Sequence, residues 1–277
     1  LIAVRDRMKN SPTVKQIVTL QKLRALKFEG EKIVVLTAYD ASFARVASEN
    51  GVEVLLVGDS LGMVLHGAAN TLAVTLDEMC YHTRLVAAGS AGPLIVADMP
   101  FMTYATPGQA MASAARLITA GAHMVKLEGG RWLCETVRML VERGIPVCAH
   151  LGLTPQSVNR FGGHRVQGRE PDAAETIRED ALALEDAGAE LLVLECIPSA
   201  LAQRVTAAVA MPVIGIGAGP DCDGQVLVLH DVIGVSPRRP RMAKDFLAEG
   251  GSIARALRAY ADAVKAREFP DASHCSD

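Results

Sequence analysis

The chain has 277 residues, half of them apolar, enough for a sizeable core in one large domain or two ordinary ones. Its net charge of −3, from 31 acids against 28 bases, argues against nucleic acid as a partner, and no uninterrupted apolar span reaches the roughly 18–20 residues that cross a bilayer. Six scattered cysteines (80, 134, 148, 196, 222 and 275) form no C-x-x-C pair, which excludes clustered zinc ligands and a disulfide framework and points to reduced thiols in a cytoplasmic protein.

The opening stretch, "LIAVRDRMKNSPTVK", lacks the ordered regions of a signal peptide, and 13–28 is expected to form a leading helix. Short apolar runs follow: "KIVVLTAYD" (32–40), "VEVLLVGDS" (52–60), "PLIVADMP" (93–100) and "HMVKLEGG" (123–130). Three more, "IPVCAHLG" (145–152), "LLVLECIP" (191–198) and "PVIGIGAG" (212–219), complete seven predicted strands. Ala-rich, charged segments of helical character lie between them, and such alternation means βαβ units and a parallel sheet. Thr75–Glu78 and Thr106–Gln109 have capping-box spacing, and Gly121 and Gly188 fall just past predicted helix ends.

"QVLVLHDVIG" (225–234) follows Gly219 too closely for an ordinary parallel crossover. The expectation is therefore a seventh helix over 223–234, capped by Asp223, and a short eighth strand near Arg241–Asp245. A closing helix over 249–267 completes the reading. Repeated β/α units over this length fit a (β/α)8 TIM barrel in a single domain, 1–277. A dinucleotide-binding fold is disfavoured, because "GIGAG" lacks the G-x-G-x-x-G order.

In such a barrel, chemistry sits at the C-terminal strand ends. Here those ends carry Asp59 and Ser60, Asp98, Lys126 and Glu128, His150, and Glu195. Each has a bland alternative: a helix cap for Asp59 or Asp98, an ion pair for Lys126 and Glu128, a core histidine, a loop salt bridge for Glu195. Those alternatives would have to hold at five strand ends together. Carboxylates without clustered histidine or thiolate suit a hard ion such as Mg²⁺, which could chelate a 2-oxo acid and stabilise its enolate. Lysine adds positive charge there, and a remaining carboxylate can act as base. The residues alone do not choose between Glu128 and Glu195 for that role.

"GEKIVVLTAYDASFA", "LLVGDSLGM", "TLDEMCYHTR", "VADMPF", "VKLEGG", "HLGLTPQS", "LVLECIP", "IGIGAG" and "CDGQVLVLHD" occur in this order. Over roughly 13–270 the chain closely resembles the ketopantoate (3-methyl-2-oxobutanoate) hydroxymethyltransferase family. The resemblance implies a phosphoenolpyruvate/pyruvate-type TIM barrel. It also implies transfer of a one-carbon unit from 5,10-methylenetetrahydrofolate to 3-methyl-2-oxobutanoate, on the route to pantothenate and coenzyme A. Asp59 and Asp98 match the family's Mg²⁺ ligands, and Glu128 its third metal-site acid, acting directly or through water. Ser60 and Lys126, with the two aspartates, match the contacts to the oxo acid, and Glu195 the proton acceptor. A homo-oligomer, commonly a decamer, is implied as well.

Ala73, where proline is frequent, and His164, where tyrosine is common, depart from the family pattern without touching these residues. The Gly-rich loop 159–170 is open to two readings, a cover for the site or a mobile surface loop. Three other functions compete: a Schiff-base aldolase with Lys126 as nucleophile, a metal-dependent carbon–carbon lyase of the same superfamily, and a barrel that binds 2-oxo acids without turnover. Carboxylates around Lys126 keep it protonated and disfavour the first.

Overall fold

A computed structural model describes residues 17–236 and 238–276. Eight parallel strands close on themselves in chain order: β1 (Ile33–Thr37), β2 (Val54–Val57), β3 (Leu94–Asp98), β4 (Met124–Glu128), β5 (Val147–Gly152), β6 (Leu191–Glu195), β7 (Val213–Ile216) and β8 (Gly224–Leu227). The seam pairs β1 with β8 from Ile33↔Gly224 to Leu36↔Leu227. Helices cover the outside, and the fold is a (β/α)8 barrel. Among the described residues no helix is long and apolar enough to cross a membrane.

Two-residue alternation sorts every strand. Val34, Leu36, Leu55, Val57, Ile95, Ala97, Val125 and Leu127 join the large cluster beneath the helices. Their neighbours Ile33, Val35, Val54, Leu56, Leu94, Val96 and Met124 join a second cluster inside the barrel. Leu23 and Leu26, from the helix Leu20–Glu29, belong to this inner cluster and plug the end where the strands begin. Burying each such leucine contributes about 1.5–3 kcal/mol. The inner parity then continues upward into Asp98, Lys126, Glu128, His150 and Glu195, so the apolar interior becomes ionisable at the C-terminal rim.

All seven predicted strands are present, and both predicted capping boxes form, at Thr75/Glu78 and Thr106/Gln109. The leading helix starts later than expected, at Leu20, because the Thr19 hydroxyl caps it by accepting from the Lys22 N–H. The part of that expectation over 13–16 lies outside the described residues. The closing helix is divided. Leu247–Gly250 makes one turn, Gly251 (φ 69°) ends it, and Ser252 caps the main helix Ile253–Lys265.

The eighth unit corrects the sequence expectation. Residues 224–227 are a strand, followed by a single helical turn at Leu229–Val232, and 241–245 forms no strand. No crossover helix is needed, because Gly224 pairs level with Ile214 and the chain descends only the length of a short strand. Residues 217–223, extended at ~3.3 Å each, reach well beyond that. The return passes close over β7, where a Cβ on Gly215 would lie 2.9 Å from Cys222 Sγ. Asp223 caps no helix; it accepts from the Val213 N–H (2.8 Å) and pairs with Lys27 Nζ (2.9 Å) at the barrel floor.

Helix Ile253–Lys265 packs Ala256, Leu257, Tyr260, Ala261 and Val264 inward. The buried Tyr260 hydroxyl lies 2.9 Å from Val35 O and 3.0 Å from Gln225 O, reaching both strands of the seam. Tyr260→Phe should lower unfolding free energy by about 1 kcal/mol in denaturant titration while leaving turnover intact.

Candidate active site

β2 runs into Gly58, where a Cβ would sit 2.8 Å from Ser60 Oγ and 3.5 Å from Asp98 Oδ2. With that space left open, the Asp59 N–H donates to Asp98 Oδ2 at 3.0 Å, drawing the two strand ends together. Asp59 is no helix cap: its Oδ2 accepts from Gln156 Nε2 at 2.9 Å. Ser60 precedes the turn Leu61–Val64, but its hydroxyl makes no cap either and meets the Tyr39 hydroxyl at 2.9 Å.

Lys126 stands next in the row. Its Nζ is 2.8 Å from Asp98 Oδ1, 3.7 Å from Glu128 Oε1 and 3.3 Å from His150 Nδ1. His150 continues it, with Nδ1 3.4 Å from Glu128 Oε1 and Nε2 3.3 Å from Glu195 Oε2. At the far end, Gly152 (φ 91°) brings β5 against β6, where a Cβ would lie 2.3 Å from Glu195 O. The predicted residues Asp59, Asp98, Lys126, Glu128, His150 and Glu195 thus form one connected row, and Ser60 stands to its side against Tyr39. The Glu195 side chain is 12% exposed while those of Glu128 and His150 are 3% exposed, so it is the more open end of the row.

Burial works against the charge on Lys126, but Asp98, Glu128 and Asp59 hold its ammonium above the ordinary lysine range. A protonated lysine is a poor amine nucleophile, which weighs against the Schiff-base alternative. Burial would raise Glu128 too, yet His150, Lys126 and the Gln156 N–H outweigh it and keep the carboxyl below its usual range. Asp59 differs. Burial first, then Asp98 and Glu128, push it well above the ordinary aspartate value. For His150, burial and Lys126 oppose a charged ring, but Glu128 and Glu195 prevail and push it up to about 9.

The donor set fits a hard divalent cation. Four carboxylates, ionised, face one ammonium and one imidazolium, which leaves two net negative charges. Without compensation, burial and the neighbouring Asp98 and Glu128 disfavour the charge on Asp59. Asp98 Oδ1 is buried with no hydrogen bond, having only the ion-pair contact to Lys126 among the described residues. The three acids expected as ligands do not converge into a cage: Glu128 is turned toward the cations and the Gln156 N–H, and no group of three His, Cys, Asp or Glu is gathered for a metal among the described residues. Two adjacent carboxylates with open positions suit Mg²⁺, which keeps waters and takes substrate oxygens.

Two participants were not singled out from sequence, Gln156 and Tyr39. Gln156 lies within "HLGLTPQS", and Tyr39 follows β1 in "LTAYD"; the only sequence signal was their position just past a strand end. Of the 159–170 loop, Val158–Phe161 forms a helical turn, and the Gln167 N–H donates to Cys196 O at 2.9 Å, beside Glu195.

The raised His150 value fixes a stability window. Its contribution is fully present below the ordinary 6.5 and is lost as pH rises through about 9. The Tm advantage of the native chain over His150→Gln should shrink across that interval; a constant difference would mean the ring is neutral throughout.

The family profile for ketopantoate hydroxymethyltransferase matches residues 17–272. A relative in Marinobacter nauticus, a 3-methyl-2-oxobutanoate hydroxymethyltransferase, is 60% identical over 258 residues, covering 93% of this chain and 98% of its own. Among solved structures, phosphonopyruvate hydrolase superposes with a TM-score of 0.61 at 12% identity, covering 79% of this chain and 84% of that one. A 2,3-dimethylmalate lyase of the PEP mutase/isocitrate lyase superfamily superposes at 0.54 with 20% identity, covering 72% of each chain. These two speak for the shared barrel alone.

Proposed function

The chain belongs to the ketopantoate hydroxymethyltransferase family, and on that premise we propose that it moves a hydroxymethyl group from 5,10-methylenetetrahydrofolate to 3-methyl-2-oxobutanoate. The products are 2-dehydropantoate (ketopantoate) and tetrahydrofolate, in the cytoplasmic route to pantothenate and coenzyme A. The working form is a homo-oligomer, and its partners are small molecules rather than nucleic acid or membrane. One observation carries the reading: the buried Asp59–Asp98 pair lies beside the Lys126 ammonium, with the accessible Glu195 at the other end of the same row.

Asp59 and Asp98 would hold Mg²⁺, with Glu128 contributing charge through water. The bound ion supplies Lewis-acid stabilisation of negative charge on the substrate's carbonyl oxygen. Lys126, already charged, stabilises the same developing enolate oxygen and the substrate carboxylate without any proton movement. Ser60, its hydroxyl oriented by Tyr39, donates to the oxo acid from the side. Glu195 takes the proton from C3, held in position by His150. The electron pair left at C3 forms the new bond to the folate's methylene carbon, both of that carbon's bonds to folate nitrogens break, water supplies the product hydroxyl, and the C3 proton and one proton of the water end on the two freed nitrogens.

Ketopantoate formation should require both the folate and Mg²⁺, with EDTA abolishing it and Mg²⁺ restoring it; borohydride trapping with loss of activity would favour a lysine Schiff base instead. Glu195→Gln should slow exchange of the C3 proton with deuterated water by roughly 10²–10⁴-fold. Near-normal exchange would assign the base elsewhere. Burial, Asp98 and Glu128 favour the protonated form of Asp59, and a bound cation favours the ionised one. Mg²⁺ affinity should therefore tighten as pH rises, with proton release in calorimetry across buffers of different ionisation enthalpy.

A further inference from the structure

Gln156 connects more of the rim than any residue assigned above. It lies in the 3-10 turn Pro155–Ser157 that follows β5, and is 6% exposed. Its Nε2 donates to Asp59 Oδ2 and to Met99 O, both at 2.9 Å. Its Oε1 accepts from the Tyr104 hydroxyl at 2.5 Å, and its backbone N–H donates to Glu128 Oε2 at 2.9 Å. Tyr104 Oη in turn lies 3.3 Å from Glu128 O. One residue thus ties the β5 loop to the ends of β2 and β3 through its side chain and to β4 through its backbone.

The amide cannot be turned round. Met99 O can only accept, so the nitrogen must face it, and Tyr104 then donates to the oxygen. Both amide hydrogens are committed and the side chain has no alternative set of partners. Its effect falls on Asp59: the bond to Oδ2 favours one orientation of the carboxylate, in which Oδ1 is the oxygen without this tie.

We propose that Gln156, fixed by Tyr104, is a positioning residue that presents Asp59 to a divalent cation through a single oxygen. This deepens the metal reading above and rests on it. Mg²⁺ demands near-ideal octahedral geometry at ~2.0–2.1 Å, and a carboxylate free to swing or to bind through both oxygens spoils that geometry. Partners that orient a ligand without touching the metal are typically worth about 10–100-fold in metal affinity.

The test uses the full chain and Mg²⁺ alone, by calorimetry, with Gln156→Met, Tyr104→Phe and Asp59→Asn. Gln156→Met keeps the length and volume, deletes both donors, and leaves the backbone N–H on Glu128. It should weaken Mg²⁺ roughly 10–100-fold, and Tyr104→Phe should move affinity the same way by less. In turnover, the Mg²⁺ requirement should rise while KM for the oxo acid at saturating Mg²⁺ stays unchanged, a split that general loosening of the fold would not give. Unchanged Mg²⁺ affinity in Gln156→Met overturns the proposal. Should that variant not fold, Tyr104→Phe decides, and unchanged affinity there has the same force. Asp59→Asn separates the two levels: if it binds Mg²⁺ like the native chain, the metal reading itself fails and this proposal with it.

Discussion

The buried ammonium of Lys126 is the interaction on which the rim depends. Desolvating an ion costs several kcal/mol, and here the cation is taken fully out of water between Asp98, Glu128 and His150. Each neighbour is held in turn by something else: Asp98 by the Asp59 N–H, Glu128 by the Gln156 N–H, His150 by Glu195. The arrangement is stable only as a set, since removing one partner strands another charge in the interior. That mutual dependence keeps six ionisable groups oriented in a place where apolar side chains would pack at lower cost.

Much of this was legible in the sequence because strand parity is simple. Lys126 and Glu128 two apart on an apolar run had to share a face, and Leu94, Val96 and Asp98 follow the same rule. Asp59 was the harder case, since an acid after a strand is equally a helix cap; its hydrogen bond to Gln156 settles where the carboxylate goes. Gln156 carried only its place past a strand end. Its significance lies in a contact spanning 97 positions, and a glutamine in a turn has no pattern of its own. The β7–β8 return was misjudged for a related reason. Crossover length is governed by register, and the level pairing of Gly224 with Ile214 cannot be read from an apolar run.

Kinship and fold separate here. Solved barrels at 12–20% identity share the architecture alone, whereas the 60% identical relative shares nearly the whole chain. What a barrel of this kind does is decided by a few side chains where an apolar interior gives way to charge. Most of the remaining sequence holds those strand ends at their relative heights.

The missing helix between β7 and β8 also bears on how the barrel comes together. The seam is fastened from outside by Tyr260, whose hydroxyl reaches Val35 across 225 positions of chain. During synthesis β1 emerges well before the residue that clasps it to β8. Until β8 is made, β1 lacks its second neighbour, and an unpaired strand edge is the kind of surface that invites wrong partners. Closure is a late event of high contact order, and the last long helix acts as the latch.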